Sequence, residues 1–201
     1  MAVSSNKFIV AAISALVVTA AVGSPLVASA VTANTTINAT VNPAITVSST
    51  GTVSLSLTPG ALPVESRASD TVTVNTNDTL GYTLTLSDVD TVTNLVSGTN
   101  TIGATANTFA VPNTLAANKW GYALAGGNFS ASYTAISNET GSTDKWAGMP
   151  SSASPQTIKS TSATATNDTT TVWYGVRVDN SQPSAVATPY TDQVVYTATA
   201  N

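Results

Sequence analysis

The chain has 201 residues, of which only 8% are charged, and it contains neither cysteine nor histidine. The lack of these two residue types excludes disulfides and thiol chemistry, and it excludes most nucleophilic triads and transition-metal sites. Six lysines and arginines stand against ten acids, for a net charge of −4. No basic patch is available for phosphates, so we expect no nucleic-acid partner.

The first 30 residues have the pattern of a secretory signal peptide. Lys7 precedes an uncharged apolar run from Phe8 to Val22, and Ala28-Ser29-Ala30 supplies the small residues of a cleavage site. The apolar run is shorter than the ~20 residues that span a bilayer. We therefore predict a signal peptide at residues 1–30 with cleavage after Ala30, a single domain at residues 31–201, and a secreted or cell-surface location. In the alternative, the segment stays uncleaved and anchors the protein in the membrane.

Apolar and polar residues alternate with period two along most of the remaining chain, which is the pattern of half-buried β-strands. Proline, glycine and asparagine separate the alternating segments, as in turns. No amphipathic helical pattern follows residue 30. The inward-facing residues predicted for the first strands are Ile37, Ala39 and Val41; Ile45 and Val47; Val53, Leu55 and Leu57; and Val72 and Val74.

Two strand pairs are predicted as adjacent, antiparallel partners. SDTVTVNTN joins LGYTLTLSDVD through the turn residues Asn77-Asp78, and TTTVWYGVRVDN joins YTDQVVYTATAN through the loop from Ser181 to Pro189. Between these pairs, strands are predicted at KWGYAL and NFSASYTAI, followed by a polar loop from Ser137 to Pro155. The inward residues of the two pairs are Leu80, Tyr82, Leu84, Leu86, Val172, Tyr174, Val176, Val178, Tyr190, Val194, Tyr196 and Ala198.

This series of short strands predicts an all-β fold, a two-layer antiparallel β-sandwich that is Ig-like or jelly-roll-like, preceded by the signal-peptide helix. One face of each strand is apolar and the other carries threonine, serine and asparagine. Each sheet should therefore bury one face and expose the other.

Three segments, taken together, resemble a known class of surface protein: TTINATVNPAITVSSTGTVSLSLTPG, VTVNTNDTLGYTLTLS and WYGVRVDNSQPSAVATPYTDQVVYTATAN. The combination is similar to small secreted β-sandwich surface proteins of the WxL cell-wall type, from Gram-positive and Saccharibacteria-like candidate-phylum bacteria. The resemblance implies an extracytoplasmic protein displayed at the cell envelope, with a part in wall association, adhesion or surface-layer structure.

The residues that could carry chemistry are mainly carboxylates. Glu65 and Glu139 lie in turn-like sequence, where acids serve solvation, so we predict no catalytic residues and no enzyme. Asp88 and Asp90 in SDVD are two residues apart, which puts both carboxylates on one side of an extended segment. They are candidate calcium ligands, with simple solvation as the alternative, and no other cofactor is predicted.

The three tryptophans could form an aromatic platform for a sugar ring, or they could pack inside the fold. Trp120 shares a face with Tyr122 and Leu124, which favours the core. Trp173 falls on the face opposite Val172 and Tyr174, beside Arg177. We predict Trp173 and Arg177 as an outward-facing pair and as the candidate ligand surface.

These observations predict an exported, non-enzymatic surface protein with a structural or adhesive role. Its expected partners are a cell-wall polymer, a host-surface component or copies of itself. One alternative is a self-assembling pilus, fibre or surface-layer subunit, in which Thr32–Val47 or the final strand pairs with the open edge of the next subunit. The other alternative is a carbohydrate- or peptidoglycan-binding module that uses Trp173.

Overall fold

A computed structural model describes residues 31–125, 144–185 and 188–201, and this part of the chain is all-β, without a helix. The all-β prediction is therefore confirmed. The predicted signal peptide at residues 1–30 and the predicted strand NFSASYTAI lie outside the described residues. The strands are β1 (Ile45–Ser48), β2 (Val64–Thr76), β3 (Tyr82–Asp88), β4 (Asn94–Ser97), β5 (Asn100–Ala104), β6 (Lys119–Ala125), β7 (Gln156–Ser160), β8 (Ala165–Val178) and β9 (Val194–Ala200).

The strands form two sheets. A six-stranded sheet has the order β1-β2-β8-β6-β5-β4, and a three-stranded sheet has the order β7-β3-β9. Neighbouring strands are antiparallel except for β5 and β6, which run parallel over two residue pairs. The parallel contact corrects the expectation of purely antiparallel sheets, and it arises because the chain loops back between these two strands before entering β6.

The chain divides into two compact units, Met1–Thr40 and Val41–Asn201. In the first unit, residues 31–40 form no regular secondary structure, and all of them are exposed. Both sheets belong to the second unit. The strand predicted at Ile37, Ala39 and Val41 is therefore wrong, since Ile37 is 87% exposed and Val41 is 82% exposed.

Both predicted strand pairings are also wrong. β2 pairs with β1 and β8, whereas β3 pairs with β7 and β9 in the other sheet. Likewise, β8 lies between β2 and β6, and β9 pairs with β3. An alternating strand has one apolar face whether its neighbour lies beside it or across the core, so the pattern cannot separate a hairpin from a crossing between sheets.

Three further predictions about the first half of the chain fail locally. Val47 was predicted to face inward, but it is 40% exposed in β1. Val53, Leu55 and Leu57 do alternate in burial and pack against the core, but their segment belongs to no strand. Leu80 was expected to face inward, yet it is 64% exposed. The reason is that Leu80 lies in the turn before β3, where the chain changes sheets at Gly81, whose φ of +85° suits glycine.

The core draws apolar side chains from both sheets, and the predicted inward residues of β2, β3, β6 and β8 are confirmed. Tyr82 and Leu84 from the small sheet are completely buried, as are Val72 and Val172 from the large one. Trp120 is 3% exposed, which confirms its predicted place in the core. The remaining buried apolar residues of the strands are Val74, Leu86, Ile102, Tyr122, Ala123, Leu124, Ile158, Tyr174, Val176 and Val178.

Hydrogen bonds between side chains join the two sheets across this core. The hydroxyl groups of Tyr174 in β8 and Tyr196 in β9 lie 2.6 Å apart. Tyr82 in β3 donates to Asp168 in β8 at 2.7 Å, and Asp168 also accepts from Lys159 in β7. A buried polar group is stabilised only when it has such a partner, so these contacts favour one relative placement of the sheets.

Candidate functional site

The predicted ligand pair lies on the face of the six-stranded sheet that points away from the core. Residues directly opposite in a ladder point to the same face, so the register puts Arg177 beside Glu65 and Lys119. In the same way, Trp173 lies beside Ser69 and Ala123. The prediction that Trp173 and Arg177 share the face opposite Val172 and Tyr174 agrees with this register.

Residues 144–148, which include Trp146, cover this face of the sheet, and we call them the cover. A glycine in β8 leaves room for them. Gly175 lies between Trp173 and Arg177, and a Cβ atom there would come within 2.5 Å of the Trp146 ring. Trp146 is completely buried, and its indole N–H donates to Glu65 at 3.1 Å. Trp146 therefore fills the position between the two residues that were expected to form a ligand surface.

The segment around Trp146 is also fixed along its backbone. Ala147 exchanges two backbone hydrogen bonds with Tyr122 of β6, at 2.8 and 2.9 Å, and Trp146 exchanges two with Asn113. Asp144 forms an ion pair with Arg67 of β2. Two backbone pairings and one ion pair hold residues 144–148 against the outer face of the sheet.

Charged side chains of the sheet bind the segments that pack on this face. Burial raises the pKa of Glu65, while the indole N–H of Trp146 and the positive charge of Arg67 oppose the rise. Arg177 donates to the backbone carbonyl of Leu115 at 2.8 Å and so ties the loop before β6 to β8. The side chain of Trp173 is half-buried and packs against the core cluster.

A different face of the molecule is broadly open and carries hydroxyl groups. On the outer side of the three-stranded sheet, Thr83 lies opposite Thr199, and Thr85 lies opposite Thr197. The rows continue onto β7, where Ser160 lies opposite Thr83 and Thr157 lies opposite Thr85, and none of these outward-facing partners is charged. We call this surface the hydroxyl face; its residues are Thr83, Thr85, Thr157, Ser160, Thr197 and Thr199.

Carboxylates gather at the end of β3, where the sequence predicted Asp88 and Asp90 as calcium ligands. Asp88 is completely buried, whereas Asp90 is exposed in the following turn. The structure adds Asp192, which stands two residues before the ladder partner of Asp88 and within hydrogen-bonding reach of the Asp88 carboxyl group. Burial raises the pKa of Asp192 to about 7, and contact with Asp88 adds to the rise. We call Asp88, Asp90 and Asp192 the acidic turn.

Sequence reasoning missed Asp192 and Trp146 as members of these clusters. Asp192 is more than 100 residues from Asp88 along the chain, and only the β3–β9 register brings them together. Trp146 lies in a segment that reads as a polar loop, although a tryptophan in such a loop is a sign that the loop packs against something.

Comparison with protein-family models, with curated proteins and with solved structures gave no match to this chain. The resemblance to WxL-type surface proteins therefore rests on the three sequence segments alone. Among the described residues there is no helix long and apolar enough to cross a membrane.

Proposed function

We propose that the protein is an exported, non-enzymatic module of the cell surface, a two-layer β-sandwich with a structural or adhesive role. The observation that carries this proposal is the hydroxyl face, with its paired threonines on β3 and β9. An uncharged, hydroxyl-rich β-surface can exchange hydrogen bonds with neutral polymers and does not repel another copy of itself. We therefore locate the contact with wall polymer on the hydroxyl face rather than at the covered Trp173.

The covered outer face of the large sheet supports a structural role. Glu65 and Arg67 are both buried, and each is bound to the segment that contains Trp146 and Asp144. Breaking a buried ion pair from one side is strongly destabilising, so these contacts hold the cover in one arrangement. A rigid module suits a protein that serves as a spacer or a contact surface in the envelope.

Fractionation of cells that express the full chain tests export. We expect the protein in the medium or wall fraction, and we expect mass spectrometry to identify Val31 as its first residue. Retention of the full-length chain in the cytosol would refute export. Recovery of the uncleaved chain with the membrane would instead support the anchored alternative.

Substitutions on the hydroxyl face test the site of contact. Thr197→Lys and Thr199→Lys place charge on this face at exposed positions, and we expect them to weaken binding to isolated neutral wall polymer. Thr101→Lys is a matched control, since Thr101 is also exposed but belongs to β5 of the six-stranded sheet. Equal binding by all three variants would remove the hydroxyl face from the proposal.

A second candidate function, strand exchange between subunits, is favoured by the N-terminal segment. Ile37 and Val41 are 87% and 82% exposed, and they have the spacing of one strand face. In the described part of the chain, β9 has a strand partner on one side only, and a depression of about 260 Å³ lies between it and β1. Burying two such side chains contributes about 3–6 kcal/mol. An exposed alternating segment and an open edge are what strand addition requires.

Electron microscopy of the purified protein tests this candidate. Ile37→Asp and Val41→Asp should abolish filaments, because a charge would enter the partner's core. Thr36→Asp and Thr40→Asp are matched controls on the opposite side of the same segment, and they should leave filaments intact. Filaments that survive the first pair, or no filaments from the unaltered protein, would exclude strand exchange through this segment.

A further inference from the structure

The acidic turn contains two buried carboxylate oxygens that receive no hydrogen bond from an N–H or hydroxyl group of the described residues. Asp88 accepts from the backbone N–H of Asp90 with Oδ1 at 3.0 Å, and its buried Oδ2 receives no such donor. Asp192 accepts from the N–H of Gln193 with Oδ1 at 2.8 Å, and its buried Oδ2 likewise receives no such donor. One oxygen of each carboxylate is satisfied, and the other is not.

The two carboxylates approach each other where β3 ends and just before β9 begins. Asp88 lies opposite Val194 at the last pair of the β3–β9 ladder, and Asp192 stands two residues before Val194. Their carboxyl groups lie within hydrogen-bonding reach, and Asp90 is close enough to act on Asp192 by its charge. Two carboxylates repel one another unless a proton or a cation lies between them.

The described residues supply no positive side chain to this cluster. Their ion pairs join Arg67 to Asp144 and Lys159 to Asp168, and neither pair touches the acidic turn. A fully buried carboxylate without a positive partner is strongly disfavoured, because burial removes its hydration. Asp88, which has no exposed surface at all, therefore needs a neutralising group.

Three chain segments are fixed to one another around this position. The backbone N–H of Asp88 donates to the backbone carbonyl of Pro150 at 2.7 Å, and the backbone N–H of Ser152 donates to the backbone carbonyl of Asp90 at 2.7 Å. The N–H of Val89 donates to Gln193 at 3.0 Å. The backbone around the acidic turn is therefore held in place, which keeps the cost of ordering a ligand site low.

We propose that the acidic turn is a calcium site, in which Asp88 and Asp192 supply the buried ligands and Asp90 supplies a third carboxylate. Within the described ranges, no three acidic side chains already surround a common metal position. The exposed side chain of Asp90 must therefore turn toward the ion when it binds. Calcium prefers six to eight oxygen ligands in flexible geometry, so backbone carbonyls or water complete the shell. The ion would tie the end of β3 to the start of β9.

Thermal unfolding of the full chain in EDTA and in calcium tests the proposal. We expect the melting temperature to rise by several degrees at about 5 mM calcium, which exceeds the Kd range of about 10⁻⁴–10⁻³ M of extracellular calcium modules. Calorimetric titration should show one site. Equal melting temperatures of the unaltered protein in calcium and in EDTA would overturn the proposal and would assign the pair to a shared proton.

Single substitutions then locate the ion. Asp192→Asn keeps the shape of the side chain and removes one charge, and we expect it to weaken calcium binding by about 10-fold or more. Asp88→Asn should do the same, and Asp192→Asn keeps the test decisive if the buried Asp88 variant fails to fold. Asp179→Asn is the matched control, because Asp179 also accepts hydrogen bonds in a turn but lies outside the cluster. A calcium response that persists in Asp192→Asn, or one that Asp179→Asn removes, would overturn the assignment.

Discussion

The position of Trp146 over Gly175 predicts a large effect from a single methyl group. In Gly175→Ala, the new Cβ atom would lie 2.5 Å from two carbons of the Trp146 ring, closer than real Cβ contacts occur. Trp146 has no exposed surface, so its ring cannot turn aside without moving the segment around it. Overpacking of this kind costs about 1–3 kcal/mol.

The hydrogen bond beneath the ring adds to this cost. Displacing the indole by a few tenths of an ångström or more stretches its 3.1 Å bond to Glu65. Loss of a hydrogen bond to a charged group lowers the free energy of unfolding by about 1.5–3 kcal/mol. Alanine is preferred over glycine in a strand, which offsets about 0.5–1 kcal/mol of this loss. We therefore expect Gly175→Ala to lower the free energy of unfolding by about 2–5 kcal/mol, which lowers the melting temperature by about 10 °C.

Urea unfolding followed by tryptophan fluorescence measures the effect, with Gly60→Ala as the matched control. A Cβ atom at Gly60 would meet only the carbonyl oxygen of Leu62, at 3.7 Å, so this variant should stay within about 0.5 kcal/mol of the unaltered protein. The alanine should also cost less when Trp146→Leu has made room for it. A Gly175→Ala variant as stable as Gly60→Ala would show that the ring does not cover this strand.

Two further predictions concern the contacts that join the sheets, and a third concerns the turn before β3. Tyr174→Phe and Tyr196→Phe should each lower the free energy of unfolding in urea by about 1–2 kcal/mol. The double variant should lose less than the sum of the two, because it leaves no hydroxyl group without its partner. Additive losses would contradict the hydrogen bond between the two tyrosines. Burial alone would raise the pKa of Asp168, but its ammonium and phenol partners hold it below the ordinary value of 3.8. The ionised Asp168 therefore contributes no more than about 1 kcal/mol to the free energy of unfolding at neutral pH, and this contribution is lost as the pH falls below about 4. Asp168→Asn should be less stable than the unaltered protein at pH 7 and equally stable at pH 2. A difference in stability that stays constant with pH would refute this. Gly81→Ala should lower the stability in thermal unfolding by about 2–4 kcal/mol, because the φ of Gly81 is +85° and a backbone carbonyl oxygen would lie 2.4 Å from the new Cβ atom. Gly98→Ala is the control: φ is +60° but the space is open, so the loss should be about 1–2 kcal/mol. Equal losses for the two variants would contradict the close approach at Gly81.

The periodicity of the sequence determined the inward faces of β2, β3, β6 and β8. Val72, Tyr82, Trp120 and Val176 were all predicted to face inward, and each is 3% exposed or less. The reason is that alternation is a local property: side chains on a strand point to opposite faces, so the apolar set must share one side whatever the strand pairs with. The all-β class follows from the same pattern.

Sequence patterns predicted strands well only where a partner was at hand. Ile37 and Val41 alternate as regularly as the residues of β2, yet their segment forms no strand. The alternating pattern predicts which face of a strand would be buried, but it does not predict whether a second strand lies beside it. A strand forms only when the N–H and C=O groups of a neighbouring strand are there to pair with its own.

Only the tertiary structure decided which strands pair and which side chains meet. A turn at Asn77-Asp78 reverses the chain equally well within one sheet or between two, and the choice depends on the apolar faces that close over the whole core. The clusters depend on that choice. Asp192 reaches Asp88 because β9 pairs with β3, and Trp146 covers Gly175 because residues 144–148 pack on the large sheet. Contacts between residues far apart in sequence arise from packing over many elements, which no local pattern encodes.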